Sequence, residues 1–413
     1  MRRRHSILPS SLLLSVAVVS AGPVTTVPWD GHKGAVTFTF DDGCPTHLTN
    51  VIPALDKRGI PGTFFLSGPL SSPQNDPWIA AARRGHELGN HTWTHANLSS
   101  LDSASIQAEI MDQAEELRAL DSSVEALTLA YPYCATNALI DNIAAQENLI
   151  SRTCGGTARF PWGTRPSNWM EATSFIVQDS ASGVDALAGI DAVTSGNSWL
   201  VTLNHGVGGD WLSAPTSVVE AMFDRAIAKG AWIGTYQDVA AYWKASAVMD
   251  TTRAVSNATG WSLSWQQPWK RSPRRVVLRV RFDSTVFGKD FAVTQDGHGV
   301  SPESDGSFRI DFLKGALRVG RSLSSSARHS AAVRPIAVSR RGAKIELRTP
   351  PSGAAQYSLT DIGGRILERG HIAAQGGLTS ISCDNPQAMV VTMRSERGTL
   401  LASGIVPPAL TGR

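Results

Sequence analysis

A regular alternation of strand-like and helix-like segments extends from residue 35 to residue 245. Short runs rich in β-branched and aromatic residues alternate with longer segments that carry apolar residues at helical spacing. In the clearest helical segment, 99–120, Ile106 and Ile110 fall on one face. The predicted strands are AVTFTF (35–40), PGTFFLSG (61–68), ALTLAYPY (126–133), SWLVTLNH (198–205) and AWIGTY (231–236). This alternation favours an α/β fold with a largely parallel, barrel-like sheet.

The region after residue 247 has a different pattern, in which short strands are separated by Gly, Ser and Asn turns. This pattern is typical of small all-β modules, and 413 residues are too many for one ordinary core. YSLTDIGGRILERG, near the C-terminus, resembles the sorting domains of some secreted bacterial enzymes, which suggests a sorting or surface-attachment role. The predicted domains are a barrel (34–247), a β-sandwich-like module (250–318), a serine- and alanine-rich linker (319–340) and a C-terminal β module (341–413).

The first 21 residues have the features of a secretory signal peptide. Three arginines at 2–4 precede an apolar run at 7–19, and small residues end the segment near Ala21. The apolar run is shorter than the roughly 20 residues that cross a bilayer, although a retained N-terminal anchor is the alternative. The sequence therefore predicts export to the exterior or the cell envelope, with no membrane span in the mature chain.

Export makes disulfides permissible. The four cysteines are Cys44, Cys134, Cys154 and Cys383, and no CxxC pattern is present to suggest a cysteine-built zinc site. Cys134 and Cys154 are candidates for pairing, and buried free thiols are the alternative. The sequence leaves the connectivity open.

The charge is divided unevenly along the chain. Residues 22–249 carry 12 basic and 23 acidic side chains, whereas residues 250–413 carry 23 basic and 12 acidic ones. A basic C-terminal region on an exported protein favours contact with an anionic surface or glycan over nucleic acid. A basic surface that serves only solubility is the alternative.

Two adjacent carboxylates and a pair of histidines suggest a metal site. Asp41 and Asp42 follow the first predicted strand, and HTWTH places His91 and His95 four residues apart. Alone, the adjacent aspartates are consistent with a turn, and the histidine pair is consistent with a structural pair. Two histidines on one side of a helical turn, with one carboxylate, supply three ligands and leave a position for water, as in catalytic zinc sites.

A water bound to such an ion becomes a nucleophile near neutral pH, and it needs a proton acceptor and a proton donor nearby. The second aspartate of the pair is a candidate base. His205, at the end of SWLVTLNH, is a candidate acid. A backbone N–H or the metal would stabilise the oxyanion.

These residues resemble the polysaccharide deacetylases, carbohydrate esterases with the NodB-like fold. TFDDG (39–43) and HTWTH (91–95) match the first two motifs of that family. AYPYC (130–134) is similar to the third motif, Arg-x-Pro-Tyr-Gly, and LNH (203–205) to the last. The resemblance covers about residues 34–245 and implies a distorted (β/α) barrel, often seven-stranded.

The resemblance also implies roles for individual residues. Asp41 is the expected base and His205 the expected acid, and the backbone N–H of Tyr133 is expected at the oxyanion. The expected metal ligands are Asp42, His91 and His95, and the supporting positions are Pro132, Asn168 and Trp169. The implied metal is zinc, with cobalt or nickel as alternatives. The implied reaction removes acetyl from an N-acetylated or O-acetylated polysaccharide, with chitin-like, peptidoglycan and acetylxylan substrates all left open.

Two departures from the family pattern qualify this expectation. Ala130 stands where the third motif has arginine, and Asn168 stands where the fourth has aspartate. In the family that arginine orients the base, so Asp41 is expected to be less well oriented unless Arg159 or Arg165 replaces it. The alternative hypothesis is a glycan-binding protein on a deacetylase scaffold with little or no activity.

Overall fold

The computed structural model describes residues 22–70, 76–156, 158–257 and 259–321, and beyond them only strands between residues 334 and 406. The predicted signal peptide and Cys383 lie outside the described residues. The chain divides into two compact units, Met1–Ser322 and Leu323–Arg413. Among the described helices, none has both the length and the apolar character needed to cross a membrane.

The first unit contains a curled, mainly parallel sheet surrounded by helices. Its strands are β1 (Val24–Thr26), β2 (Ala35–Asp41), β3 (Thr63–Leu66), β4 (Glu87–Asn90), β5 (Thr128–Ala130), β6 (Ile150–Arg152), β7 (Arg159–Pro161), β8 (Phe175–Val177), β9 (Ser198–Asn204) and β10 (Trp232–Ile233). Its helices are α1 (Ile52–Arg58), α2 (Asp76–Arg83), α3 (Ser103–Leu120), α4 (Ala138–Ala144), α5 (Ser180–Gly196), α6 (Thr216–Ala228) and α7 (Tyr236–Met249).

Parallel pairing runs in the order β6-β5-β4-β3-β2-β9, and β8 pairs with the far side of β9. The segment that leads into β8 also bonds to β6, because Ala172 forms a parallel bridge with Arg152. Residues 172–177 therefore connect β6 to β9 through parallel hydrogen bonding, and the sheet curls into a distorted barrel. The predicted (β/α) barrel is confirmed.

Strand β2 is buried along its whole length, which explains why its sequence before Asp41 consists only of apolar residues and threonines. Val36, Phe38 and Phe40 pack in the core that includes α1 and α6. Because side chains alternate along a strand, Thr37, Thr39 and Asp41 point the other way, into the barrel. The indole of Trp199 donates to Thr37 there. The same alternation places Asp41 at the mouth of the barrel.

The predicted segment 231–236 is shorter as a strand than expected. Only Trp232–Ile233 pairs with β2, and helix α7 begins at Tyr236. The Thr235 side chain accepts a hydrogen bond from the backbone N–H of Asp238, so it caps the helix instead of continuing the strand. Helix α3 agrees with its prediction and begins after Asp102, which caps it in the same manner.

The rest of the first unit is mainly β-structure. Its elements are β11 (Ala254–Asn257), β12 (Gly260–Ser264), β13 (Val277–Phe282), α8 (Ser284–Phe287), β14 (Phe291–Gln295), β15 (His298–Val300), β16 (Phe308–Asp311) and β17 (Ala316–Arg321). Strand β1 pairs with β13, and the Tyr242 hydroxyl of α7 donates to the Val27 carbonyl. These strands thus lie in the same compact unit as the barrel. The domain boundaries drawn from the sequence stay a prediction.

In the second unit, every described element is a strand. They are β18 (Arg334–Pro335), β19 (Val338–Arg341), β20 (Lys344–Arg348), β21 (Ala355–Asp361), β22 (Ile366–Ile372), β23 (Leu378–Ser382), β24 (Met389–Ser395) and β25 (Leu400–Val406). They form two sheets, ordered β18-β25-β24-β21-β22 and β19-β20-β23. The predicted linker contains the end of β17, β18 and most of β19. The predicted glycan contact of this basic region stays a prediction.

Candidate metal centre and active site

The predicted base, acid and metal ligands meet where three strands of the barrel end. Asp41 is the last residue of β2, His91 follows β4, and His205 follows β9. The carboxyl ends of parallel strands share one rim, where chemistry in barrel folds is located. Asp42 has a left-handed backbone, φ 71°, so the chain turns sharply between the two aspartates. Their carboxylates consequently have different neighbours.

Asp42, His91 and His95 form one cluster. An Asp42 oxygen, Oδ1, lies 3.3 Å from His91 Nε2 and 3.2 Å from His95 Nε2. Possible ligand atoms of the three side chains all lie within 4.8 Å of one another. Both Asp42 oxygens are buried, and neither accepts a well-aligned hydrogen bond. Burial alone would raise the pKa of Asp42, but His91 and His95 outweigh it and hold the pKa well below its usual range.

The orientation of His91 suits a metal ligand. Its Nδ1 lies 2.7 Å from the backbone carbonyl oxygen of Ala130. A carbonyl only accepts hydrogen bonds, so Nδ1 carries the proton and the lone pair of Nε2 faces Asp42. This arrangement fixes the tautomer in the way that outer-sphere partners of metal-bound histidines do. The cluster therefore offers two imidazoles and one carboxylate whose buried oxygens lack hydrogen-bond partners. This donor set fits a zinc-type cation.

Asp41 does not lack a cation, contrary to the expectation drawn from Ala130. The guanidinium Nη2 of Arg152 donates to Asp41 Oδ2, and both side chains are buried. Arg152 Nη1 donates to the Ser174 hydroxyl at 3.0 Å, and its guanidinium lies over the Phe65 ring, 5.1 Å from the centroid. The other carboxylate oxygen of Asp41, Oδ1, is buried and has no hydrogen-bond partner.

Both arginines proposed from the sequence as replacements are elsewhere. Arg159 is exposed on β7. Arg165 Nη2 lies 3.4 Å from Ser246 Oγ and 3.6 Å from an Asp250 oxygen. Both suggestions are wrong because the replacement comes from the strand next to the third motif, where Arg152 is the register partner of Ala130.

His205 approaches the second oxygen of Asp42. Its Nε2 lies 3.7 Å from Asp42 Oδ2, and its Nδ1 is buried without a hydrogen-bond partner. Burial lowers the pKa of His205, against the opposing effect of the Asp41 and Asp42 carboxylates. Its backbone carbonyl oxygen accepts a hydrogen bond from Nε2 of the buried His47, at 2.7 Å, which fixes the end of β9.

Residues 30–149 match the sequence model of the family described as polysaccharide deacetylase. This segment of the chain belongs to the polysaccharide deacetylase family. The matched region of the deacetylase barrel includes Asp41, Asp42 and both histidines of the cluster.

Two curated relatives illustrate the extent of the similarity. A chitin deacetylase of Pestalotiopsis sp is 32% identical over 128 residues, which are 30% of this chain and 41% of that protein. A chitooligosaccharide deacetylase of Sinorhizobium fredii is 26% identical over 170 residues, which are 41% of this chain and 70% of that protein. The chain therefore spans less than half the length of the first of these relatives.

Solved structures also resemble the chain. A putative polysaccharide deacetylase from Mycobacterium smegmatis has a TM-score of 0.43 and 18% identity, covering 54% of this chain and 94% of its own. The chitin deacetylase of Colletotrichum lindemuthianum has a TM-score of 0.37 and 17% identity, covering 52% and 91%.

The supporting positions from the fourth family motif do not join this cluster. Asn168 caps a short 3₁₀ turn through a bond from Met170 N, and its amide donates to Asp141 Oδ2 at 2.6 Å. Trp169 packs edge-on against Trp243, with its ring near Lys244. Within the described residues these contacts do not reach Asp42, His91 or His95, and the supporting role of Asn168 and Trp169 stays a prediction.

The turn after β5 brings Pro132 and Tyr133 beside the histidines. Pro132 is buried and begins the turn, and Tyr133 follows with a left-handed backbone, φ 57°. The Tyr133 ring lies 5.0 Å from the His95 ring and is 68% exposed. No hydrogen bond from the Tyr133 backbone N–H is found within the described part of the chain. That N–H is thus available to a ligand.

Trp211 lies beside His205 and was not predicted. Its ring is 5.4 Å from the His205 ring and 53% exposed. The loop that carries it is tied to the turn after Asp42, since Thr46 N donates to Asp210 Oδ2 and Val207 N donates to the Thr46 hydroxyl. The only sequence signal for this residue is a tryptophan close after a motif histidine.

Cys134 and Cys154 form a disulfide, which settles the alternative that the sequence left open. It joins the turn after β5 to the segment after β6. Cys44 is a buried free thiol, and burial raises its pKa to about 11, so it is an inert core residue rather than a reactive one.

Proposed function

We propose that this protein is a metal-dependent hydrolase that removes acetyl groups from an acetylated polysaccharide. The observation that carries the proposal is the Asp42 carboxylate, buried without a well-aligned hydrogen bond and facing two histidine nitrogens. Directly beside it, Asp41 is held by Arg152 and has one free oxygen. A metal-binding group and a positioned base thus share one rim of the barrel.

Asp42, His91 and His95 are the residues that would hold the metal. Their donor set suits zinc, and cobalt or nickel would also fit. A bound ion of this kind supplies Lewis acidity and lowers the pKa of a coordinated water to roughly 7.

The remaining steps belong to side chains of this chain. Asp41 Oδ1 is free to take a proton from water, because Oδ2 is engaged by Arg152. Protonated His205 is suited to give a proton to the leaving nitrogen or oxygen, since its lowered pKa makes it a stronger acid. The free N–H of Tyr133 is suited to stabilise the oxyanion.

The substrate favoured is a polymer of N-acetylglucosamine. Relatives of this chain carry the names chitin deacetylase, chitooligosaccharide deacetylase and peptidoglycan-N-acetylglucosamine deacetylase. Tyr133 and Trp211 expose aromatic rings beside His95 and His205, and such rings pack against sugar faces. The same residues would hydrolyse acetyl esters, so acetylxylan belongs among the substrates to be tested.

Export of the protein is part of this proposal. The disulfide suits an oxidising compartment, and the N-terminal segment has signal-peptide features. The alternative of a glycan-binding protein with little or no activity rests on Ala130, on Asn168 and on the basic, tryptophan-bearing C-terminal region. It loses its main argument, because Arg152 supplies the cation that Ala130 lacks.

The test is acetate release from chitin oligomers, acetylated peptidoglycan and acetylxylan, with zinc added and after treatment with a chelator. We expect release from at least the N-acetylglucosamine polymers, loss with the chelator and recovery when zinc returns. Binding of these glycans without release from any of them, at full zinc content, would favour the inactive alternative.

Trp211 offers a separate prediction about the substrate. Trp211→Ala is expected to raise KM for a chitin oligomer about two- to tenfold, since one aromatic contact is worth about 0.5–1.5 kcal/mol. Trp211→Phe keeps a ring and is the matched control, with a KM between the two. Equal KM values for all three proteins would remove Trp211 from the substrate site.

A further inference from the structure

The turn beside the metal histidines has a backbone conformation that suits glycine. Tyr133 and Cys134 are consecutive residues with φ 57°. The left-handed region is unfavourable for residues with a Cβ, whereas glycine enters it freely. The related family motif ends in glycine at the position of Cys134. This chain therefore keeps a glycine-type turn without the glycine.

Covalent and hydrogen bonds hold this turn to the segment that follows β6. Cys134 is joined to Cys154, and the carbonyl oxygen of Cys134 accepts a hydrogen bond from the Thr153 hydroxyl at 3.1 Å. The backbone N–H of Tyr131 donates to the Arg152 carbonyl at 3.0 Å. The three residues Arg152, Thr153 and Cys154 thus contact both ends of the turn.

The turn bears directly on the proposed site. The Ala130 carbonyl, just before it, fixes His91, and the Tyr133 ring packs against His95. Because the Tyr133 N–H has no partner in the described residues, its direction is set by the conformation of the turn alone. A change in φ at either left-handed residue would rotate that N–H.

We propose that Cys134 and Cys154 are positioning residues. Their disulfide holds the turn in the left-handed conformation and so aims the Tyr133 N–H at the reacting carbonyl, in the place of a glycine. The end of β6 and the two residues after it, Arg152 to Cys154, thus replace two residues of the third family motif. The proposal rests on the proposed deacetylase function.

Two matched double variants test this proposal in the full chain. Cys134→Ala with Cys154→Ala removes the cross-link and leaves a Cβ at residue 134. Cys134→Gly with Cys154→Ala removes the same cross-link but allows the left-handed turn. We measure kcat and KM on a chitin oligomer, zinc content, the thermal unfolding midpoint, and the amide NMR signal of Tyr133.

The alanine pair is expected to lower kcat about tenfold with KM and zinc content unchanged, and to shift the Tyr133 amide signal. The glycine pair is expected to recover most of the kcat and the wild-type signal. Both pairs lose the same cross-link, so lower stability alone affects them equally. Equal kcat in the two pairs, whether high or low, would overturn the proposal.

The result is different if the protein does not act as a deacetylase. If the wild type releases no acetate, the NMR signal still decides whether the disulfide holds the turn. A Tyr133 amide that is unchanged in the alanine pair would overturn the positioning role without reference to activity.

Discussion

Exchanging either aspartate of the adjacent pair for asparagine is expected to produce two different failures. Asp41→Asn should lower kcat by about 10²–10⁴-fold while zinc content stays unchanged, because it removes the proposed proton acceptor and leaves the proposed ligands in place. Asp42→Asn should lower zinc content and activity together, because the carboxylate between His91 and His95 is lost. Metal analysis and kcat on the same preparations check both expectations.

Each variant of this pair serves as the control for the other, since the chemical change is identical and the positions are neighbours. Asp41→Asn also leaves the Arg152 guanidinium buried without its opposite charge, so a lower unfolding temperature is expected for it. Retained turnover in Asp41→Asn would remove that residue as the base. Retained zinc in Asp42→Asn would remove it as a ligand.

The cluster of Asp42, His91 and His95 was predictable because its signals are local. The adjacent aspartates follow a strand that is recognisable from its composition, and His91 and His95 lie within one short motif. Parallel strands then bring their carboxyl ends to the same rim, so a strand-end residue such as His205 was also expected there. Strand β4 was missed because its four residues, ELGN, have neither β-branched side chains nor alternation.

Arg152 was not predictable in the same way. It is 111 residues from Asp41 in sequence, and its contact depends on the pairing of β5 with β6, which places it beside Ala130. Neither strand exceeds three residues, too short for a periodic signal. Trp211 was missed because left-handed residues Asp210 and Leu212 set its direction, and non-glycine residues rarely adopt that conformation.

The role of Arg152 leads to the second large expected effect. Arg152→Ala is expected to lower kcat about 10²-fold, because Asp41 loses the group that orients it. It is also expected to reduce the free energy of unfolding by about 3–5 kcal/mol, because a buried carboxylate is left without its partner. Steady-state kinetics and denaturant unfolding measure the two effects. Arg159→Ala, which removes an exposed arginine of β7, is the matched control and should change neither.

The pairing of β5 with β6 suggests a second substitution that should restore activity to Arg152→Ala. Ala130 and Arg152 are paired residues on adjacent parallel strands, so their side chains project from the same face of the sheet. Arg152→Ala combined with Ala130→Arg moves the guanidinium to the neighbouring strand, where the related family carries it, and should restore most of the lost kcat. If the double variant folds but stays as slow as Arg152→Ala, the guanidinium must act from β6 itself, through its bond to Ser174 as well as to Asp41. The two positions would then not be interchangeable.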